Sequence, residues 1–207
     1  MKLIKKAAKR LYQVPIIKHI YIALFNAFSI KKIKKINTLK LHLGCGSVKL
    51  DGFINIDIEN WAGKCDLIMD CVKLKKIKSK SVDYIFTHAL LEHIPPYKTS
   101  DTLIAWNRVL KIGGIILIEV PDLERIFEDW LVKGILSEKE AINNIFGGNK
   151  KEKDKYSAQD HLTGFTYTRL CNFLKECGFN NFKRIEHDIY HHILCIQAMK
   201  VKDVGKN

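Results

Sequence analysis

Three residues in the first third of the chain have the type and spacing to meet a nucleotide. Gly44 and Gly46 flank Cys45, and Asp57 follows Gly46 after ten intervening residues, in the stretch Leu39 to Asp57, LKLHLGCGSVKLDGFINID. A glycine lets backbone approach a ligand where any Cβ would collide. A carboxylate accepts hydrogen bonds from the two hydroxyls of a ribose. Such groups need positioning. Leu39, Leu41 and Leu43 alternate with Lys40 and His42, and Phe53 to Ile56 is a second apolar run. The pattern predicts a strand, a glycine turn, and a second strand ending in the acid.

Further candidates fall where predicted strands end. Asp66 to Asp70 is a short strand with Asp70 at its exit, followed by Cys71. Val82 to His88 is a strand delivering His88, and Ile115 to Val120 is a β-branched run closed by Pro121 and Asp122. Strands alternate with helices anchored by Leu103, Ile104, Trp106, Val109 and Leu110, then by Leu170, Phe173 and Leu174. Gly113-Gly114 is expected to end the first of these, and Thr166 and Gly178 to cap and close the second. Residues 123–145 read as two helices. Phe182 to Glu186 and Ile193 to Met199 are joined by a short connection, so they are expected to be antiparallel. The expectation is an α/β fold: a doubly wound, mostly parallel sheet of about seven strands with one late antiparallel strand. Ligands of such sheets sit at the carboxyl ends of the strands.

Spacing excludes two nucleotide classes. A dinucleotide site needs a third glycine where Lys49 stands and an acid about 20 residues on. A P-loop pattern is missing. The step from Gly46 to Asp57 also leaves too little chain for a full crossover helix, so that helix is expected to be shortened or absent. Residues 16–30, IIKHIYIALFNAFSI, are apolar enough to cover the sheet in its place.

The chain resembles the class I S-adenosylmethionine-dependent methyltransferases. The resemblance rests on LHLGCGSVKLDGFINIDI (41–58), SVDYIFTHALLEHIP (81–95), RVLKIGGIILIEVPD (108–122) and HLTGFTYTRLCNFLKECGF (161–179). It is nearest to small bacterial methyltransferases associated with surface-polysaccharide biosynthesis. It implies a Rossmann-like methyltransferase fold over residues 37–200, with S-adenosylmethionine as cofactor. Gly44, Cys45 and Gly46 would pass under its methionine part, Asp57 would take the ribose, Asp70 and Cys71 would meet the adenine, and His88 would lie near the sulfonium. The sequence departs from the family at His42, where many members carry an acid for the cofactor's ammonium group.

Histidines elsewhere carry weaker signals. His161, beside Gly164-Phe165, is a candidate general base facing the acceptor, although a role in ordering its loop explains it as simply. Glu92-His93 precede Pro95-Pro96 and read equally as a loop-ordering pair or a cofactor contact. His187, His191 and His192 sit at a predicted turn with only Asp188 as a nearby acid, so no metal site is expected there. The six cysteines form no C-x-x-C pair, which removes zinc-ribbon and thioredoxin-like readings and fits a reducing cytoplasm.

The net charge of +13 is concentrated. Residues 1–40 hold eleven Lys/Arg and no acid, leaving 24 basic against 22 acidic residues in the remainder. A basic amphipathic arm (1–36), with Leu3, Ile4, Ala7, Ala8 and Leu11 on one helical stripe, suits an anionic membrane surface. The near-neutral domain makes a nucleic-acid partner unlikely. Residues 201–207 read as a tail. Together with the basic arm, the resemblance implies methyl transfer to a glycan or lipid-linked saccharide at the inner membrane face. RNA or small-molecule methylation, and a non-catalytic scaffold, are the alternatives.

Overall fold

A computed structural model describes residues 15–33, 38–60, 63–147, 160–186 and 191–205. The amphipathic stripe at 2–12, Lys34 and Lys35, residues 148–159, His187 and Asp188 lie outside the described residues.

Seven strands form one sheet: β1 (Lys40–Leu43), β2 (Ile54–Asp57), β3 (Leu67–Ile68), β4 (Val82–His88), β5 (Leu110–Pro121), β6 (Phe179–Ile185) and β7 (Ile193–Lys200). Their order is β3-β2-β1-β4-β5-β7-β6. The pairs among β1 to β5 are parallel, and β7 runs antiparallel to both β5 and β6. This is the expected architecture, down to the single late antiparallel strand. No helix occurs between β1 and β2; residues 44–53 are turns.

The helices are α1 (Pro15–Ile33), α2 (Thr99–Val109), α3 (Leu123–Phe127, continued by a wide turn Glu128–Val132), α4 (Glu138–Phe146) and α5 (Tyr167–Glu176). Helix α2 buries Leu103 and Trp106, and α5 buries Leu170 and Leu174, in one cluster with Leu41, Leu43, Ile85, Ile116 and Ile118. Each such side chain contributes roughly 1.5–3 kcal/mol through burial. Thr166 caps α5 by accepting the Arg169 N–H. Helix α2 ends at Val109, before Gly113-Gly114, because β5 already begins at Leu110. The glycines lie inside that strand, where the pairing with β4 shifts register between Val82 and Tyr84. The fully buried Lys200 ammonium bonds the Asn107 and Leu110 carbonyls (2.7 and 2.9 Å), stopping α2 from β7. The last residues join this packing: Val201 N–H bonds the Gly178 carbonyl and Asp203 pairs with Lys200.

Helix α1 docks on the sheet edge. Strand β3 is terminal, so Ile68 presents an unpaired N–H and C=O. The buried Asn26 side chain takes both, donating to the Ile68 carbonyl (2.7 Å) and accepting its N–H (2.9 Å). Ile22 and Phe25 pack beside it on Cys45, Cys65 and Ile68, and Lys18 pairs with Glu59. The amide acts as a one-residue eighth strand. Replacing Asn26 by Ala leaves two edge groups without protein partners, and we expect a loss of about 1–3 kcal/mol in urea denaturation. An unchanged midpoint would show that α1 is only loosely held.

Candidate active site

The glycine loop is tied to the end of β2. Gly44 N–H and Cys45 N–H both donate to the Ile56 carbonyl (2.9 and 3.1 Å), and Gly46 N–H donates to Asp57 Oδ2 (2.8 Å). The other oxygen, Oδ1, accepts the Ile58 N–H at 2.6 Å. Gly44 has φ +70°, and a Cβ there would lie 3.0 Å from Leu90 Cδ1. That glycine is required both by its backbone and by the side chain over it. The Cys45 thiol is buried 3.5 Å from that of Cys65, so Cys45 serves as a small residue in the turn.

Asp70 is exposed just past β3, its Oδ1 accepting the Val72 N–H (2.9 Å). The Cys71 thiol is buried towards the Ile56 carbonyl, and the Trp106 indole N–H holds the Cys71 carbonyl at 2.8 Å. Burial pushes that thiol well above its usual range. Gly44, Gly46, Asp57, Asp70 and Cys71 therefore surround the carboxyl ends of β1 to β3.

His88 ends β4, opposite Glu119 on β5, which in turn faces Cys195 on β7. His88 Nδ1 donates to Glu119 Oε2 (2.8 Å). The hydrogen bond to Glu119 raises the imidazole's pKa against the opposing effect of burial.

Two sequence candidates lie elsewhere. His42 is buried on the other side of the strand end, donating to Asn55 Oδ1 (3.0 Å) and packing on Phe86. Burial lowers its pKa, so it is a neutral core histidine and not a substitute for the missing acid. Asp122, expected among the converging strand-end groups, is fully buried. It caps α3 by accepting the Glu124 and Arg125 N–H groups and pairs with Arg184, so its carboxylate is spent on structure.

A cavity of about 440 Å³ opens over the ends of β4 and β5, lined by Ala89, Glu92, Pro121, Asn144, His161 and His192 among others. His161 reaches it because its Nδ1 docks on the last carbonyls of α4, Asn144 at 3.1 Å and Ile145 at 3.2 Å. Glu92 is 1% exposed, and burial pushes its carboxyl up to about 7. His191 and His192 both turn to Asp129 Oδ2 (3.2 and 3.0 Å), while Asp129 Oδ1 pairs with Lys133. Sequence reasoning missed Asp129 because it lies some 60 residues away, on the wide turn after α3.

The cavity and the glycine loop share one wall. Leu90 lies over Gly44, while its neighbour Ala89 lines the cavity from a left-handed backbone (φ +49°). Such a conformation is uncommon outside glycine and marks a turn fixed by its surroundings.

The architecture has many solved counterparts. A SAM-dependent methyltransferase from Methanosarcina mazei aligns over 83% of this chain and 96% of its own, with 20% identity and a TM-score of 0.53. One from Archaeoglobus fulgidus aligns over 86% and 94%, with 16% identity and a TM-score of 0.52. One from Thermotoga maritima aligns over 94% and 95%, with 15% identity and a TM-score of 0.51. The fold is that of the class I methyltransferases. The sequence itself matches no family model and no curated protein.

The His88–Glu119 bond gives a measurable signature. Replacing Glu119 by Gln removes the main cause of the raised pKa, so the His88 titration followed by NMR is expected to move down. The sign for stability follows. A raised imidazole pKa adds stability below about pH 6.5 that is lost as pH rises through the folded value. With the His88 side chain 40% exposed, we expect less than about 1 kcal/mol.

Proposed function

We propose that this chain is an S-adenosylmethionine-dependent methyltransferase acting on a hydroxyl. The observation that carries this reading is the shared wall. A loop of Gly44, Cys45 and Gly46 with Asp57 and Asp70 offers the features a nucleoside-bearing cofactor needs. Only the Ala89–Leu90 turn separates it from a cavity large enough for a sugar-sized acceptor. The fold, common to proteins described as SAM-dependent methyltransferases, supports the same reading.

In this proposal Gly44, Cys45 and Gly46 pass beneath the methionine part, Asp57 accepts from the ribose hydroxyls, and Asp70 and Cys71 flank the adenine. His88 lies near the sulfonium. Methyl transfer is an in-line displacement in which the protein supplies alignment, and His161 is the residue placed to handle the acceptor's proton. We assign the acceptor to a glycan or lipid-linked saccharide at the cytoplasmic membrane face. The support is the basic character of residues 1–36. No described helix is long and apolar enough to cross a membrane, so the arm would bind at the surface.

Calorimetry with S-adenosylhomocysteine tests the cofactor half. We expect binding that Asp57→Ala weakens by about tenfold or more, since a hydrogen bond to a charged group is worth roughly 1.5–3 kcal/mol, and that Gly44→Ala weakens through the Cβ it places in the loop. No binding by the wild-type chain would overturn the proposal.

Radiolabelled methyl transfer tests the acceptor half. Label is expected in lipid-linked saccharide and not in RNA, falling about 100-fold in His161→Ala. Label in RNA would reverse the acceptor assignment. Flotation with anionic vesicles should be lost on removing residues 1–12, which carry five of the basic residues and leave α1 in place.

A further inference from the structure

The turn after β4 carries a group of donors that neither the fold nor the cofactor loop uses. The helical turn Leu91–His93 presents Glu92 and His93, and residues 160–163 are laid across it. The Glu92 carbonyl accepts the Leu162 and Thr163 N–H groups at 2.7 and 3.1 Å, which fixes His161 against the turn across some 70 residues of chain. The rings of His93 and His161 meet edge to face, with centroids 4.9 Å apart.

Both oxygens of the Glu92 carboxylate are buried and meet no hydrogen-bond donor among the described residues. Burying an unpaired carboxylate is costly, and native proteins pair such groups or give them a cation. The two imidazoles are already oriented for that cation. His93 Nδ1 donates to the Asp160 carbonyl at 3.0 Å, and His161 Nδ1 donates to the carbonyls ending α4. With the proton fixed on Nδ1, the neutral ring keeps its lone pair on Nε2. Backbone-anchored imidazoles of this kind are the usual outer shell of a metal site. One donor atom from each of Glu92, His93 and His161 lies within 4.8 Å of the others. Ligands about 2.1 Å from a tetrahedral cation stand about 3.4 Å apart, so side-chain shifts of about an ångström close the set.

We propose that Glu92, His93 and His161 bind one divalent first-row transition ion. Two imidazoles and a carboxylate suit zinc, manganese, iron or cobalt better than magnesium, and leave coordination positions open. Those positions face the cavity, because Glu92 and His161 both line it. Resting on the methyltransferase reading, the ion's task is to take the acceptor hydroxyl. The bound hydroxyl releases its proton to water in the open cavity. Its oxygen pair forms the new C–O bond, and the C–S pair stays on sulfur, leaving a neutral thioether. His161 then handles the acceptor's proton through the ion it holds, which acidifies the bound hydroxyl.

The test uses the full chain, stripped with chelator and titrated with Co²⁺ as a visible-absorption probe, then with Zn²⁺ by calorimetry. One ion per chain is expected, with d–d bands shifted by nitrogen ligation. Glu92→Gln keeps the side chain's shape and removes a buried charge, so it should fold. It is expected to weaken Co²⁺ binding about 100-fold, as is His161→Ala, with circular dichroism checking the fold of each. No stoichiometric binding, or binding unchanged in both variants, would overturn the site. S-adenosylhomocysteine binding by the same stripped wild-type chain keeps the two readings apart. Cobalt binding without the nucleoside removes the methyltransferase reading and leaves the metal site; nucleoside binding without cobalt does the reverse.

Discussion

Ten residues must carry the chain from the end of β1 to the start of β2, a parallel neighbour, and that is too few for a helix. Side chains therefore do what a crossover helix does elsewhere. Asn55, fully buried on β2, is the centre of the substitute. Its oxygen accepts the Leu50 N–H, and its amide donates to the Leu50 and Phe53 carbonyls and to Asp66. Asp66 also takes the Asn55 N–H and the Lys49 ammonium. Lys49 stands where a dinucleotide site would have its third glycine. Here it holds the loop to the strand that follows.

The same shortage of chain makes the two faces of the sheet unequal. One face lies under α2 and α5, and its strand residues are almost wholly buried. The other carries Phe53, Tyr84, Phe86, Ile115, Leu117 and Met199, all only half-buried. Helix α1 reaches that side through Cys45, Cys65 and Ile68, but it stops at the β3 edge. The residual surface is partly satisfied by its own side chains. Phe53 stands edge-on to Tyr84 and Phe86, His42 packs on Phe86, and Lys40 lies over the Phe53 ring. A buried neutral His42 belongs to this arrangement. His42 is here committed to bracing the face that the described helices cover least.

What could be read from the sequence follows from distance along the chain. The glycine loop is local: Gly44, Gly46 and Asp57 lie within one strand-turn-strand unit, so spacing and periodicity suffice to place them. The mostly parallel sheet with one late antiparallel strand was legible for a related reason, since alternation of strands and helices admits few topologies. Side-chain fate was not. Asp57 and Asp122 both follow apolar strands, yet one lies against the glycine loop while the other is sealed beneath Arg184, which β6 brings from 62 residues away. The role of Asn26 in an apolar helix could not be read because its partners, the edge N–H and carbonyl of Ile68, are a product of strand order. The extended start of β5, through two glycines, was hidden by the usual meaning of Gly-Gly as a stop.

Glu92-His93 shows why the acceptor half of the site is the harder one to read. In isolation the pair is ambiguous, since a turn before two prolines explains it. It gains chemistry only when His161 arrives, and His161 arrives because the carbonyls at the end of α4 and the backbone of residues 160–163 hold it. The cofactor side is built from neighbours in sequence, which fits a ligand that many proteins of this fold share. The cavity proposed for the acceptor is assembled from the end of β4, α4, the entry to α5 and the entry to β7. Of those pieces, α4 and the entries to α5 and β7 lie outside the strand-turn-strand unit that carries the glycine loop. A constant cofactor and a variable acceptor therefore require different things of the chain, and this division between local and long-range contacts meets both.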